Sequence, residues 1–213
     1  EKVTISISDN MQSQHLTHEV KCIDAKITSD DIKSFFSSKE FSDLYTSNNE
    51  PLHSFPISYQ IDNNKIVSDP IGLSSEILRT TWHVVSVSKD FLKKIHNIFS
   101  ELDINVHQAV SSFYASSLAA LRESESDLGS ICIDIQKNQT YLSYTFDNQL
   151  IGFDSVKIGT FHFANDISQI KSISIDESEI YRKKYDTRTI DKKRNAADEQ
   201  IYQIYLSRAE ELA

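Results

Sequence analysis

An aspartate that closes one apolar strand, just before a short turn into a second strand, is the first place to look for chemistry in this chain. Gly129-Ser-Ile-Cys-Ile-Asp-Ile135 runs into Gln136-Lys137-Asn138-Gln139 and then Thr140-Tyr-Leu-Ser-Tyr-Thr-Phe146. Ile131, Ile133 and Ile135 alternate with Cys132 and Asp134, which predicts an otherwise buried strand carrying one carboxylate near its end. That frame suits a phosphate-binding hairpin, with Asp134 serving a phosphate or a Mg-bound water. It suits a plain strand-end acid equally well. A phosphate hairpin needs glycines in its turn, because backbone amides must come close to the oxygens, often at positive φ. The turn here holds none. Lys137 could pair with a phosphate or stand in solvent as an ordinary turn lysine.

Other reactive patterns are weaker. His15, His18 and Cys22 lie close in sequence, but no second ligand pair follows at a spacing that would complete a metal site. No Gly-x-Ser-x-Gly occurs to present a nucleophilic serine. Arg182-Lys183-Lys184 and Lys192-Lys193-Arg194 could receive an acidic peptide or form solvated helix ends. Cys22 and Cys132 sit in strand-like runs and read as buried, reduced thiols, which suits a cytosolic compartment.

Bulk properties narrow the classes. The formal net charge of −9 argues against nucleic acid or an anionic membrane as the main partner. No apolar run reaches the ~18 residues of a membrane span, and the first residues carry no signal-peptide pattern. With no initiator Met, the 213 residues read as a piece of a longer chain. Four glycines and three prolines leave little material for phosphate cradles.

Positioning elements follow from periodicity. Glu1 to Ser8 predicts a strand, residues 9–14 a polar loop, and Leu16 to Ile27 a second strand. Thr28-Ser29-Asp30-Asp31 opens a helix with Ile32, Phe35 and Phe36 on its buried face. Residues 37–50 read as weak helix and loop. Leu52 to Ile61 predicts a strand with Phe55, Ile57, Tyr59 and Ile61 on one face, followed by an Asn63-Asn64 turn, a short strand Lys65-Ile66-Val67 and an Asp69-Pro70-Ile71-Gly72 turn. Thr80 to Val87 is another strand. Ser88 caps a helix from Asp90 to Leu102 with a stripe of Phe91, Ile95, Ile98, Phe99 and Leu102. A brief strand around Val106 and a small-residue helix, Ser111 to Arg122, lead into the hairpin. Helices over Gly159–Ile170, Asp176–Tyr185 (begun by Ser174) and Asn195–Leu212 close the chain, with a polar loop at 186–194.

Several ordered segments together resemble the FtsA family of bacterial cell-division proteins. Leu52-His53-Ser-Phe-Pro56-Ile-Ser-Tyr59-Gln-Ile61-Asp62 is similar to the family's Leu-His-x-x-Pro-x-x-Tyr-x-Ile-Asp pattern. Asp69-Pro70-Ile71-Gly72-Leu73, Trp82-His83-Val84-Val85, Tyr114 to Leu121, Leu128-Gly129 and Ile175-Asp176-Glu177-Ser178-Glu179 follow in the family's order. The resemblance implies an α+β/α/β fold: partial actin-like (ribonuclease H-like) lobes with an inserted strand-helix-strand-strand module, the SHS2 or 1C subdomain. Residues 1–14 would end the first lobe (1A), 15–88 would be the insertion, 89–125 the return to the first lobe, and 126–213 a partial second lobe (2A/2B).

The hairpin departs from the family. Asp134-Ile135-Gln136-Lys137-Asn138-Gln139 stands where the family has Asp-Ile-Gly-Gly-Gly-Thr, and a one-residue shift that lends Thr140 the threonine role restores no glycine. A later family glycine pair appears as Gly159-Thr160. The nucleotide-site residues the resemblance implies are therefore Asp134, Gln136, Lys137, Asn138, Gln139, Thr140 and Gly159, in a degenerate form. Catalytic and metal residues are not expected, and the chain itself needs no cofactor, although ATP and Mg remain possible in a full-length parent. The implied role is an adaptor or scaffold of the division ring at the inner face of the bacterial membrane, reached through a C-terminal segment outside this chain. Its partners would be a tubulin-like division-ring protein, other divisome proteins and further copies in actin-like polymers, with no nucleic acid. The alternatives are an active actin/Hsp70-type ATPase switch and an actin-like pilus-assembly adaptor.

Overall fold

The computed structural model describes residues 2–23, 26–62, 65–184 and 196–212. In chain order the elements are β1 (Lys2–Ile7), β2 (Met11–Lys21), α1 (Ser29–Lys33), a 3-10 turn (Ser34–Ser37), α2 (Lys39–Thr46), β3 (Asn49–Ile61), β4 (Lys65–Val67) and β5 (Ile77–Ser88). There follow α3 (Lys89–Glu101), β6 (Asn105–Ser111), α4 (Ser112–Ala120), α5 (Glu123–Leu128), β7 (Ser130–Ile135), β8 (Thr140–Phe146), β9 (Gln149–Val156), α6 (Thr160–Lys171), α7 (Ile175–Lys184) and α8 (Ala196–Leu212). They form two compact units, Glu1–Cys132 with Ser143–Asp154, and Ile133–Leu142 with Ser155–Ala213.

In the first unit a four-stranded sheet runs in the order β2-β5-β3-β4. Strand β2 pairs antiparallel with β5 from Met11↔Val87 to Lys21↔Ile77. Helices α1 and α2 cover one face, burying Phe35, Phe41, Leu44, Trp82 and Val84 in one cluster. Helix α1 starts as its residues dictate: Thr28 Oγ1 accepts from the Asp31 amide (3.3 Å), and Asp31 returns a carboxylate to the Thr28 amide (2.7 Å). Thr28→Ala should cost about 1 kcal/mol in chemical denaturation; an unchanged midpoint would mean that packing alone holds this helix. Beside the sheet, β1 and β6 form a parallel pair, and α3 packs Leu92 against Ile7 and Val87.

Several expectations are corrected. Residues 11–14 are strand, not loop; Asn10, at φ 58°, makes the turn instead. Phe36 is 47% exposed because the 3-10 turn aims Phe35, not Phe36, into the core. Register shifts at Pro51/His53 and Pro56/Ser58 interrupt β3, so Phe55, Ile57, Tyr59 and Ile61 do not keep one unbroken face, and Phe55 alone of them is buried. Each shift begins at a proline, which has no amide to give the ladder. Ser88 stands at the N-terminus of α3 but makes no side-chain cap, and Ile98 and Leu102 of the expected stripe are exposed. The small-residue helix ends at Ala120, and α5 is separate from it.

Strand β7 carries the largest reversal. Ile131, Ile133 and Ile135 are exposed, whereas Cys132 and Asp134 are half-buried. Alternation defines which residues share a face, but coverage of a face is decided by what packs on it, and here the Cys132/Asp134 face is covered. Both cysteines are free and half-buried, not buried. The three strands lie in the order β7-β8-β9, and β8 turns into β9 through Asp147 and Asn148 at φ 51° and 56°, the left-handed pair of a type I′ turn.

In the second unit α6 and α8 bury Ile167, Ile201 and Ile204, with Ile173 and Tyr205 packed beside them. The Arg208 guanidinium forks onto both oxygens of Asp166 at 2.8 and 2.9 Å. Ser174 and Glu177 form a reciprocal cap at the start of α7, as the sequence predicts. The Asn63-Asn64 turn, the 186–194 loop, Lys192-Lys193-Arg194 and the Leu212 side chain lie outside the described residues.

Candidate functional site

The hairpin between β7 and β8 collects the expected nucleotide-site residues in the second unit. Asp134 Oδ2 accepts from the Gln136 side-chain amide at 2.8 Å. The turn closes on itself, with the Gln136 amide donating to the Gln139 carbonyl at 2.9 Å. None of residues 136–140 has a positive φ, so the chain takes this turn without the conformations that demand glycine. Gln139 Nε2 donates to the Tyr141 hydroxyl (2.6 Å), and Asn138 is exposed. Thr140 is buried, and its hydroxyl donates to the Ile158 carbonyl at 2.8 Å. The Lys137 ammonium sits 5.9 Å from the centre of the Phe161 ring.

Gly159 meets this turn directly. A Cβ there would strike the Gln136 carbonyl oxygen and lie 2.6 Å from the Lys137 oxygen and 2.7 Å from the Gln139 nitrogen, all backbone atoms. Its extended φ of −150° is open to any residue, so close approach is the whole reason for glycine. The approach lets the amides of Thr160 and Phe161 donate to the carbonyls of Gln136 (2.9 Å) and Lys137 (2.8 Å). The turn itself, residues 136–139, contains no glycine.

A second candidate, which sequence reading missed, lies in the first unit. A groove of about 420 Å³ runs between α3, β3 and β6, with Pro51, Leu52, Leu92 and Ala109 as its apolar lining and Lys93 and His96 exposed along it. Lys89, Lys93 and His96 fall at i, i+4 and i+7 on α3, and this basic stripe was the available signal. Lys89 is engaged, donating to the Tyr45 carbonyl at 2.8 Å over the Tyr45 ring. In the second unit Arg182 pairs with Glu179 at 2.8 Å. His15 and His18 bond to the Ile151 carbonyl and the Ser34 hydroxyl.

The sheet, its helices and the strand-turn-strand hairpin define an actin-like fold carrying an inserted strand-helix-strand-strand module. Residues 8–86 match the family model described as the SHS2 domain inserted in FtsA. The cell division protein FtsA of Agrobacterium fabrum is 31% identical over 128 residues, covering 60% of this chain and 29% of that protein. The FtsA of Rhizobium meliloti is 26% identical over 169 residues, covering 79% and 38%. The chain therefore spans about a third of the length of these relatives. Among solved structures, the PilM-PilN type IV pilus biogenesis complex shares the fold over 99% of this chain and 55% of the matched chain, at a TM-score of 0.67 and 11% identity. Residues 8–86 thus carry the SHS2 domain found inserted in FtsA, and the similarity to FtsA proteins extends beyond it. Among the described residues no helix is long and apolar enough to cross a membrane.

Proposed function

We propose that this chain acts in bacterial cell division as an adaptor or scaffold. Its SHS2 module and partial actin-like lobes would bring a tubulin-like division-ring polymer together with other divisome proteins and with further copies of itself. Its work would lie at the inner face of the membrane. The observation that carries this reading is the SHS2 match over residues 8–86, in the same order as the wider likeness to proteins named for cell division. The degenerate hairpin agrees with it, since an adaptor needs surfaces and no phosphoryl chemistry. The groove beside α3 offers one such surface, apolar within and lined also by Lys93, His96 and the acidic Glu50.

Localisation of a fluorescent full-length protein tests the reading, with the variant Lys93→Glu/His96→Glu beside it. Wild type should gather at division sites. The double variant, altered only at exposed positions, should keep its stability to within about 0.5 kcal/mol and gather less. A wild-type protein that is spread evenly, or that collects at pilus machinery, would sink the division role. The latter result would favour a pilus-type adaptor, to which the fold shared with the PilM-PilN complex lends support.

A further inference from the structure

We infer that the hairpin of the second unit is closed by its own backbone, as a nucleotide-independent latch between the 136–140 turn and the start of α6. A polyphosphate such as Mg-ATP, which the actin-like fold implies, does not fit the residues present. A phosphate hairpin works by leaving amide donors unengaged and approachable, so that anionic oxygens satisfy them. Here the amides at the start of α6 already have protein acceptors: Gly159 donates to His162 Nδ1 at 3.0 Å, Thr160 to the Gln136 carbonyl at 2.9 Å, Phe161 to the Lys137 carbonyl at 2.8 Å and His162 to the Gly159 carbonyl at 3.0 Å. The turn's other edge is held too, by the Thr140 hydroxyl on the Ile158 carbonyl at 2.8 Å.

The side chains complete the closure. Asp134, the carboxylate that would serve a Mg-bound water, is bridged to Gln136 at 2.8 Å. Lys137, the one cation of the turn, lies over the Phe161 ring on the α6 side. Gln136, Lys137 and Asn138 stand where a glycine turn would expose bare backbone. Gly159 is the element that permits the closure, because any side chain there would hold the helix start away from the turn. The latch thus joins the two stretches of the second unit, residues 133–142 and those from 155 onward, without a ligand between them.

The inference uses the family reading only to say where a nucleotide would be sought. The division role is judged by localisation, so either can fail alone. Hydrogen exchange on the whole chain, with and without millimolar Mg-ATP, tests the latch. The amides of Gln136, Thr160 and Phe161 should exchange on the order of a hundredfold more slowly than unbonded turn amides. Mg-ATP should change neither those rates nor the melting temperature. Gly159→Ala should speed exchange at both segments together, by at least about tenfold. Should that variant fail to fold, the milder Thr140→Val should loosen the same two segments by a smaller factor. A melting temperature raised several degrees by Mg-ATP, with slowed exchange at 136–140 that Asp134→Ala abolishes, would overturn the inference and return the ATPase reading. Unprotected Thr160 and Phe161 amides in the wild type would overturn it equally.

Discussion

Phe35→Ala is expected to cost the first unit about 3–5 kcal/mol and to bring Trp82 into water. Phe35 is fully buried and lies flat against Trp82, with ring centres 4.6 Å apart and planes 4° from parallel. It also meets the edge of Phe41 at 5.1 Å. Truncation removes a ring from a site framed by Trp82 on the sheet and Phe41 on α2, neither of which can close the gap without leaving its own contacts. The loss is a large part of the roughly 5–15 kcal/mol that holds a domain together. Trp82 is the sole tryptophan of the chain and is 5% exposed, so its emission reports this cluster without interference. Urea titration should show the midpoint falling and the emission red-shifting at low denaturant. Phe36→Ala, at a half-exposed neighbour, should cost about 1 kcal/mol or less. Equal costs for the two would mean that the helical cover is not held by the Phe35–Trp82 stack.

That pair also shows which parts of the fold sequence reading could reach. Thr28 and Asp31 are three residues apart and satisfy one another, so their helix start was legible from local chemistry alone. The same holds for Ser174 with Glu177 and for the Asp69-Pro70-Ile71-Gly72 turn, where Asp69 accepts from the Ile71 amide at 3.0 Å. Phe35 and Phe36 are adjacent and chemically identical, and what separates them is the sheet they meet, which comes from residues some fifty positions on. The first residues of β2 were lost for the same reason: Gln12, Ser13 and Gln14 look like loop until β5 pairs with them. Alternation along β7 grouped its isoleucines correctly and put the wrong face inward.

At the hairpin the absence of glycine from the turn was legible, and the close contact of that turn with Gly159 was not. The missing glycines of residues 136–138 could be read directly, since a phosphate turn is defined by what its side chains lack. The contact with Gly159 is made by backbone atoms on both sides, so its one trace in the sequence was the glycine itself. The groove beside α3 was harder still. Pro51, Leu52, Leu92 and Ala109 come from three elements, and only Lys89, Lys93 and His96 carried a pattern on one helix.

Acidification from pH 7.5 to 5 is expected to weaken the first unit by about 2 kcal/mol through His83 alone, rising to about 3 kcal/mol at pH 4. His83 is fully buried on β5. A carbonyl can only accept, so Nδ1–H donates to the Leu150 oxygen at 2.8 Å, and the other nitrogen, Nε2, accepts from the Ser13 hydroxyl at 2.9 Å. Burial drives its pKa down to about 4, and the nearby His15 and His53 rings add to the effect against the Leu150 bond. The sign follows from the proton count. Above pH 6.5 the imidazole is neutral in both states, whereas between 6.5 and 4 the unfolded chain takes up a proton that the folded one refuses. Stability is therefore lost as pH falls through that window, and the loss levels off below pH 4. His53 acts in the same direction: burial lowers its pKa, and Nε2 accepts from the Ser111 amide at 3.0 Å, a bond that protonation would break. Glu40 and Asp62 are held below the usual carboxylate range, chiefly by hydrogen bonds, so their losses come at lower pH and leave the interval from 6.5 to 5 to the histidines. Denaturant midpoints measured across that interval should fall steadily in the wild type. His83→Gln should start less stable at pH 7.5, having one amide in place of two ring contacts, and should show a flatter slope. A wild-type midpoint that stays level from 6.5 to 5 would mean that His83 is protonated in the fold, with Leu150 and Ser13 arranged otherwise around it.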